Sequence, residues 1–146
     1  MMKKLGNKKN TNTLEVLTAN MVALQMQSKM FHLNVTGPRF YGDHKTYDGI
    51  YEVADDYFDI LAERMRAIGE PVCVCPQWVM THSMLDDSAD ESSSAELMVQ
   101  SMLRSLQNIS GHIQSMDGLV DPTTLNIVQE LDAAIGKQIY FVRSSI

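Results

Sequence analysis

An all-α chain folded as a four-helix bundle, with one long crossover between its second and third helices, is predicted from three observations. Apolar residues return at steps of three and four along four separate stretches. Helix breakers stand between those stretches: Gly37-Pro38, Gly69 with Pro71, and Gly118 followed by Asp121-Pro122. The composition, with eleven Met, few aromatics, four Pro and eight Gly, suits a bundle better than a turn-rich β fold. At 146 residues the chain has the length of one domain with a sizeable core.

Residues 1–10, MMKKLGNKKN, read as a flexible Lys-rich N-terminal arm, and residues 11–146 as the bundle domain. The arm holds Lys3, Lys4, Lys8 and Lys9 and no acid. The chain carries a net charge of −6, so the rest of it stands at −10 once those four lysines are set aside. A body that acidic attracts cations and repels nucleic acid. The plain reading of the arm is a solubilising tail.

Asn12 with Glu15 three residues later forms a capping pair that opens the first helix. Leu14, Leu17, Met21, Leu24, Ser28 and Phe31 keep heptad spacing and give it one buried side. His32 follows Leu14 by about five full turns, so it falls on the inner stripe near the helix end. Taken alone, such a histidine is more often a hydrogen-bonded core residue than a ligand. Residues 14–24, LEVLTANMVAL, are interrupted by Glu15 and Asn20. They are too polar for a signal-peptide core or a membrane span, and a cytoplasmic location is expected.

Residues from about Phe40 to Ile68 read as one helix, with Tyr47, Tyr51, Ala54, Phe58, Leu61, Met65 and Ile68 as its core stripe. His44 and Asp48 are four apart on it, as are Asp59 and Glu63, so each pair shares a surface patch. From Asp48 to Asp59 the helix advances roughly 16 Å while returning to nearly the same face. Two metals that share a carboxylate sit about 3.5 to 4 Å apart. One chain therefore carries two separated halves of a site. If two such helices pack antiparallel about a two-fold axis, the early pair of one meets the late pair of the other, and two identical sites form. Imidazole mixed with hard carboxylate oxygens suits Fe²⁺, and the same set would bind Zn²⁺ or Mn²⁺. An intrachain site of the Glu-x-x-His kind is disfavoured, because Lys29, Tyr41, Val79 and Ile109 stand three before the four histidines. Glu52, Asp55 and Asp56 read as a solvated face, with Glu52 a weaker candidate for guiding ions inward. Arg64 is either exposed or paired with an interface carboxylate.

Between Gly69 and about Ser93 the periodicity lapses, as a crossover between two helices running the same way requires. Gln77 to Met84 reads as a short helix within it, where Trp78 packs at an interface. Cys73 and Cys75 read as plain loop thiols; a metal or redox role with His82 is the sharper alternative. The acids from Asp86 to Glu91 form a solvated run that opens the next helix. From about Ser93, Leu97, Met98, Met102, Leu106, Ile109, Ile113 and Met116 mark the third long helix, ending at Gly118, with His112 structural or exposed. Asp121-Pro122 opens the last, whose stripe is Leu125, Val128, Leu131, Ile135, Ile139 and Val142.

The H-x-N-V-x-G-P-x-F run from His32 to Phe40, the H-x-x-x-D of His44 and Asp48 and the D-I-x-A-E-R from Asp59 to Arg64 resemble the ferroxidase signature of Dps, the DNA-binding proteins from starved cells. The end of the chain, YFVRSSI, also resembles the last Dps helix, so the likeness spans most of the sequence. It implies a ferritin-like four-helix bundle, assembled as a hollow dodecamer from two-fold dimers. It further implies intersubunit di-iron sites made by His32, His44, Asp48, Asp59 and Glu63, all five of the expected types. Asp59 and Glu63 of one chain with His32 of the other would hold a first iron, and Glu63 would bridge towards a second position near His44 and Asp48. The implied activity is a ferroxidase that consumes hydrogen peroxide, with dioxygen a slower oxidant, and stores ferric mineral in the cavity. Acids at the start of the last helix, among Asp117, Asp121 and Glu130, would line a three-fold entry pore. The lysine arms, multiplied over the assembly, would touch DNA phosphates. One departure is Leu33, where the family usually has Trp, an aromatic thought to shape radical chemistry near the iron. The competing reading is a structural DNA-compacting protein whose metal site is vestigial or filled by zinc.

Overall fold

The structure, a computed structural model, describes residues 8–146, with side chains from Thr13 onward. Lys3 and Lys4, and the side chains of Lys8 and Lys9, thus lie outside the described residues. Five helices follow in order: α1 (Lys8–Asn34), α2 (Phe40–Ala67), α3 (Pro76–His82), α4 (Ala95–Gln114) and α5 (Pro122–Arg143). Helix α1 opens at Lys8 instead of at the expected Asn12, since no Gly or Pro between them interrupts it. The other long helices begin and end within a few residues of their expected bounds.

Contacts between the helix ends fix the direction of each helix. His32 meets His44 at one end of the α1–α2 pair, and the Thr18 hydroxyl donates to the Met65 sulfur at 3.5 Å near the other, so these helices are antiparallel. Arg64, late in α2, binds Asp121 ahead of α5, while Arg39 at the start of α2 donates to the Ser145 carbonyl at 2.6 Å. Those two run antiparallel as well. His112, late in α4, donates from Nε2 to the Thr13 carbonyl at 3.0 Å. Helix α4 is therefore antiparallel to α1 and parallel to α2, which is why a long crossover is needed.

The main core is an apolar cluster to which all four long helices contribute, and a smaller one joins Ala19 and Ala23 of α1 to Val79 of α3. Leu14, Leu17, Met21, Leu24, Ser28 and Phe31 of α1 are all buried, as their spacing requires. On α2, Tyr47, Ala54, Leu61 and Met65 are buried with Ile50, whereas Tyr51 and Phe58 are half-buried and Ile68 is exposed. Ile68 has left the stripe because the helix stops there: Gly69 takes φ +87, its N–H reaches the Arg66 carbonyl, and the Glu70 N–H reaches that of Met65. That paired closure needs a left-handed residue, which glycine adopts without strain.

Apolar contacts, among them buried Val79 against Ala19 and Ala23 of α1, hold the crossover to the bundle, and polar clips add to them. Buried Asn20 donates to the His82 carbonyl at 3.1 Å and accepts from the Met84 N–H at 2.8 Å. Asp86 does more. Its carbonyl accepts from Gln27 at 2.7 Å, and its carboxylate accepts from Ser101 at 2.8 Å, from Arg104 at 2.7 Å and from the Ser88 hydroxyl. The expectation of a merely solvated acidic run is corrected at this residue; Asp90 and Ser94 do serve helix opening, the latter by accepting from the Leu97 N–H.

The Arg104 guanidinium, followed by the Ser88 and Ser101 hydroxyls, holds the Asp86 carboxyl well below the usual carboxylate range. Its stabilising contribution is complete above the unfolded-state value of about 3.9 and is lost as pH falls from there through the lower folded value. Asp86→Ala is expected to cost about 2 kcal/mol at neutral pH, the size of lost hydrogen bonds to a charged group. In thermal melts the gap between wild type and Asp86→Asn should narrow below about pH 4; a gap unchanged from pH 7 to pH 3 would contradict the assignment.

Candidate metal centre

The five candidate ligands occupy two regions of the α1–α2 hairpin. His32 ends α1 and His44 lies in the opening turns of α2, and the short link between them folds one ring onto the other. The rings stack with centroids 3.7 Å apart and 17° between their planes. His32 Nδ1 lies 2.8 Å from the His44 carbonyl, and His44 Nδ1 lies 2.7 Å from the His32 carbonyl. A carbonyl oxygen only accepts, so each Nδ1 carries its proton and donates. In the neutral rings both Nε2 atoms keep a free lone pair. This is the arrangement in which a backbone acceptor fixes the tautomer and aim of a metal-binding histidine. Phe40 closes over His44 with its ring 5.0 Å away, while Leu33 stands 68% exposed beside His32.

Asp48, one turn beyond His44, is half-buried and faces Lys29, whose Nζ lies 3.5 Å from Oδ1 and 4.1 Å from the centroid of Tyr51. Lys29 was absent from the sequence candidates. Its position one turn before His32 on the same helix was the available signal. The pair is about two-fifths exposed on both sides, so it contributes at most about 1 kcal/mol and can give way to a divalent cation.

Asp59 and Glu63 are exposed, about three turns further along α2. The chain thus brings His32 and His44 together with Asp48 at the same end, and leaves Asp59 and Glu63 apart from them. Among the described residues no three of His, Cys, Asp and Glu converge as a metal-holding group. Glu52, Asp55 and Asp56 are exposed.

Arg64 binds within its own chain, donating from Nε to the Thr124 hydroxyl and from its terminal nitrogen to Asp121, both at 3.0 Å. Asp121 caps α5, and its carboxyl sits below the usual range because the Thr124 N–H, the Thr124 hydroxyl and Arg64 favour the charged form. One residue before His44, buried Asp43 pairs with Arg39 at 3.5 Å. Burial pushes its carboxyl up against the partial offset of Arg39, and pushes the neighbouring Tyr47 phenol up as well. Cys73 and Cys75 are exposed with their sulfurs 3.0 Å apart, and His82 donates to the Trp78 carbonyl while stacking on its indole. No helix among the described residues is long and apolar enough to cross a membrane.

No family model matches the chain. The DNA protection during starvation protein of Brevibacillus brevis is 25% identical over 130 residues, which span 86% of this chain and 87% of that one. The crystal structure of Dps92 from Deinococcus radiodurans superposes with a TM-score of 0.88 at 26% identity, covering 94% of this chain and 85% of that one. The crystal structure of a Dps protein from Bacillus brevis superposes with a TM-score of 0.87 at 24% identity, covering 98% of each chain. These neighbours give the helices the ferritin-like four-helix bundle fold.

If Lys29 occupies Asp48 only until a cation arrives, Lys29→Gln should bind divalent metal more tightly. The expected gain is about fivefold, equivalent to about 1 kcal/mol, read by calorimetric titration with Zn²⁺. Unchanged or weaker binding would contradict that role.

Proposed function

The sequence and structural likenesses support assigning this chain to the Dps family, and from that premise we propose that it is a mini-ferritin that oxidises and stores iron, consumes hydrogen peroxide and so limits oxidative damage. The observation that carries this reading is the pair of stacked imidazoles whose Nδ1 atoms are each tied to a carbonyl. Such an arrangement offers two free Nε2 atoms from adjacent rings, one for each of two metal positions. A plain core histidine needs no such orientation.

Ferrous ion is the substrate. An acidic body draws it to the surface, where imidazole nitrogens and carboxylate oxygens are the donors offered to it. In the proposed dimer, Asp59 and Glu63 of one chain approach His32 of the other, and Glu63 reaches towards a second, weaker position beside His44 and Asp48. Lys29 must release Asp48 for that second position to fill. Two Fe²⁺ held together each give one electron to hydrogen peroxide, and two protons complete the two waters that form. The peroxide bond breaks in a two-electron step, so hydroxyl radical is not released; dioxygen serves more slowly.

The same reading carries an assembly of two-fold dimers, a dodecamer, with ferric mineral in its cavity, and a location in the cytoplasm. Contact with DNA would fall to Lys3, Lys4, Lys8 and Lys9, against an acidic body that opposes it.

Stopped-flow absorbance after mixing protein with Fe²⁺ and peroxide tests the activity. Wild type should give a fast ferric signal, and Glu63→Ala should slow it roughly 100-fold or more, at least the cost of losing an outer-shell partner of a metal site. No ferric signal in wild type, or a variant as fast as wild type, would remove the enzyme reading. The structural DNA-compacting alternative, with zinc or nothing at the site, would then stand.

A further inference from the structure

We propose that Cys73 and Cys75 are a two-electron thiol pair that reduces hydrogen peroxide and closes reversibly into a disulfide. The pair lies on the segment leading into α3, and the metal chemistry makes no use of it. Both thiols are exposed, and their sulfurs are 3.0 Å apart, so that one S–H donates to the other sulfur. A reacting sulfur therefore has its resolving partner already in contact. Two cysteines alone do not make a closed soft-metal site, which takes four ligands, and no third ligand joins them among the described residues.

The hydrogen bond from Cys73, followed by the Trp78 backbone N–H, holds the Cys75 thiol below its usual range. Cys75 is consequently the attacking sulfur, because the thiolate is the nucleophile. Its electron pair bonds to one peroxide oxygen, the O–O bond breaks, and the leaving hydroxide takes a proton to become water. Cys75 is then a sulfenic acid. The Cys73 thiolate attacks that sulfur, the S–O bond breaks, and the hydroxyl departs with a proton as a second water. Two thiols have lost two electrons and one peroxide has gained them. The ring closed across Val74 is short, which strains the disulfide and lets a small thiol reopen it. Trp78, the sole tryptophan, supplies a built-in reporter next to the reacting sulfur.

The test uses the full chain in excess EDTA, with equimolar hydrogen peroxide, so that metal-dependent peroxide consumption plays no part. Free thiols counted with an aromatic disulfide reagent should fall from two per chain to none. The intact mass should drop by two hydrogens, Trp78 fluorescence should change, and dithiothreitol should restore all three readings. In Cys73→Ser the reaction should stop at a sulfenic acid trapped by dimedone on Cys75; Cys75→Ser should be oxidised roughly tenfold more slowly. Glu63→Ala should match wild type in every thiol reading, which separates failure here from failure of the iron reading. Thiols that stay free, disulfides linking different chains, or equal rates in the two single variants would overturn the proposal.

Discussion

The arrangement depends first on the reciprocal contact between the end of α1 and the start of α2. A five-residue link forces these helices antiparallel, and the two histidine–carbonyl hydrogen bonds, at 2.8 and 2.7 Å, fix which turn of one faces which turn of the other. The His32 carbonyl is one of the last four of α1, which lack an intrahelical partner, and the His44 ring supplies its donor. The same two bonds that set the hairpin's register also choose the tautomer of both imidazoles. Backbone structure and ligand chemistry are therefore one interaction at this corner, and a change that freed either ring would loosen both.

The second constraint is the stiffness of α2. A continuous helix cannot fold Asp59 and Glu63 back onto His44 and Asp48, because eleven residues of rise lie between them. The acids are held outward on a rigid rod, available to something beyond the chain. Closing both ends of α2 against other elements keeps the rod straight in place. Arg39 reaches the Ser145 carbonyl at one end, and at the other Arg64 ties into Thr124 and the α5 cap.

Sequence periodicity made the bundle legible because each long helix buries a continuous stripe, and the breakers Gly37-Pro38, Gly69 and Asp121-Pro122 stand where helices stop and start. Ligand types and their spacing on α2 were legible for the same reason: a helix converts sequence distance into face and height. What escaped reading were side-chain partnerships set by tertiary register. Lys29 on Asp48, Arg64 on Asp121 and Arg104 on Asp86 each join residues at least eighteen apart, and no local pattern specifies them. Asp86 in particular sat in an acidic run that composition reads as solvated, yet polar groups of two helices, α1 and α4, converge on that one residue and its neighbours. The burial of Asp43 was hidden likewise, since a charged residue in a first helical turn is ordinarily exposed.

Whether one chain is chemically incomplete is decided most directly by mixing two silent variants. One lacks the early half-site, as His32→Ala, His44→Ala, Asp48→Ala; the other lacks the late half, as Asp59→Ala, Glu63→Ala. If sites span two chains, co-assembly of equal amounts restores one intact site in each mixed dimer. Ferrous oxidation should then return to about a quarter of the wild-type rate under random pairing. Mixed assemblies that form, as shown by mass, yet remain as inactive as their parents would contradict the account.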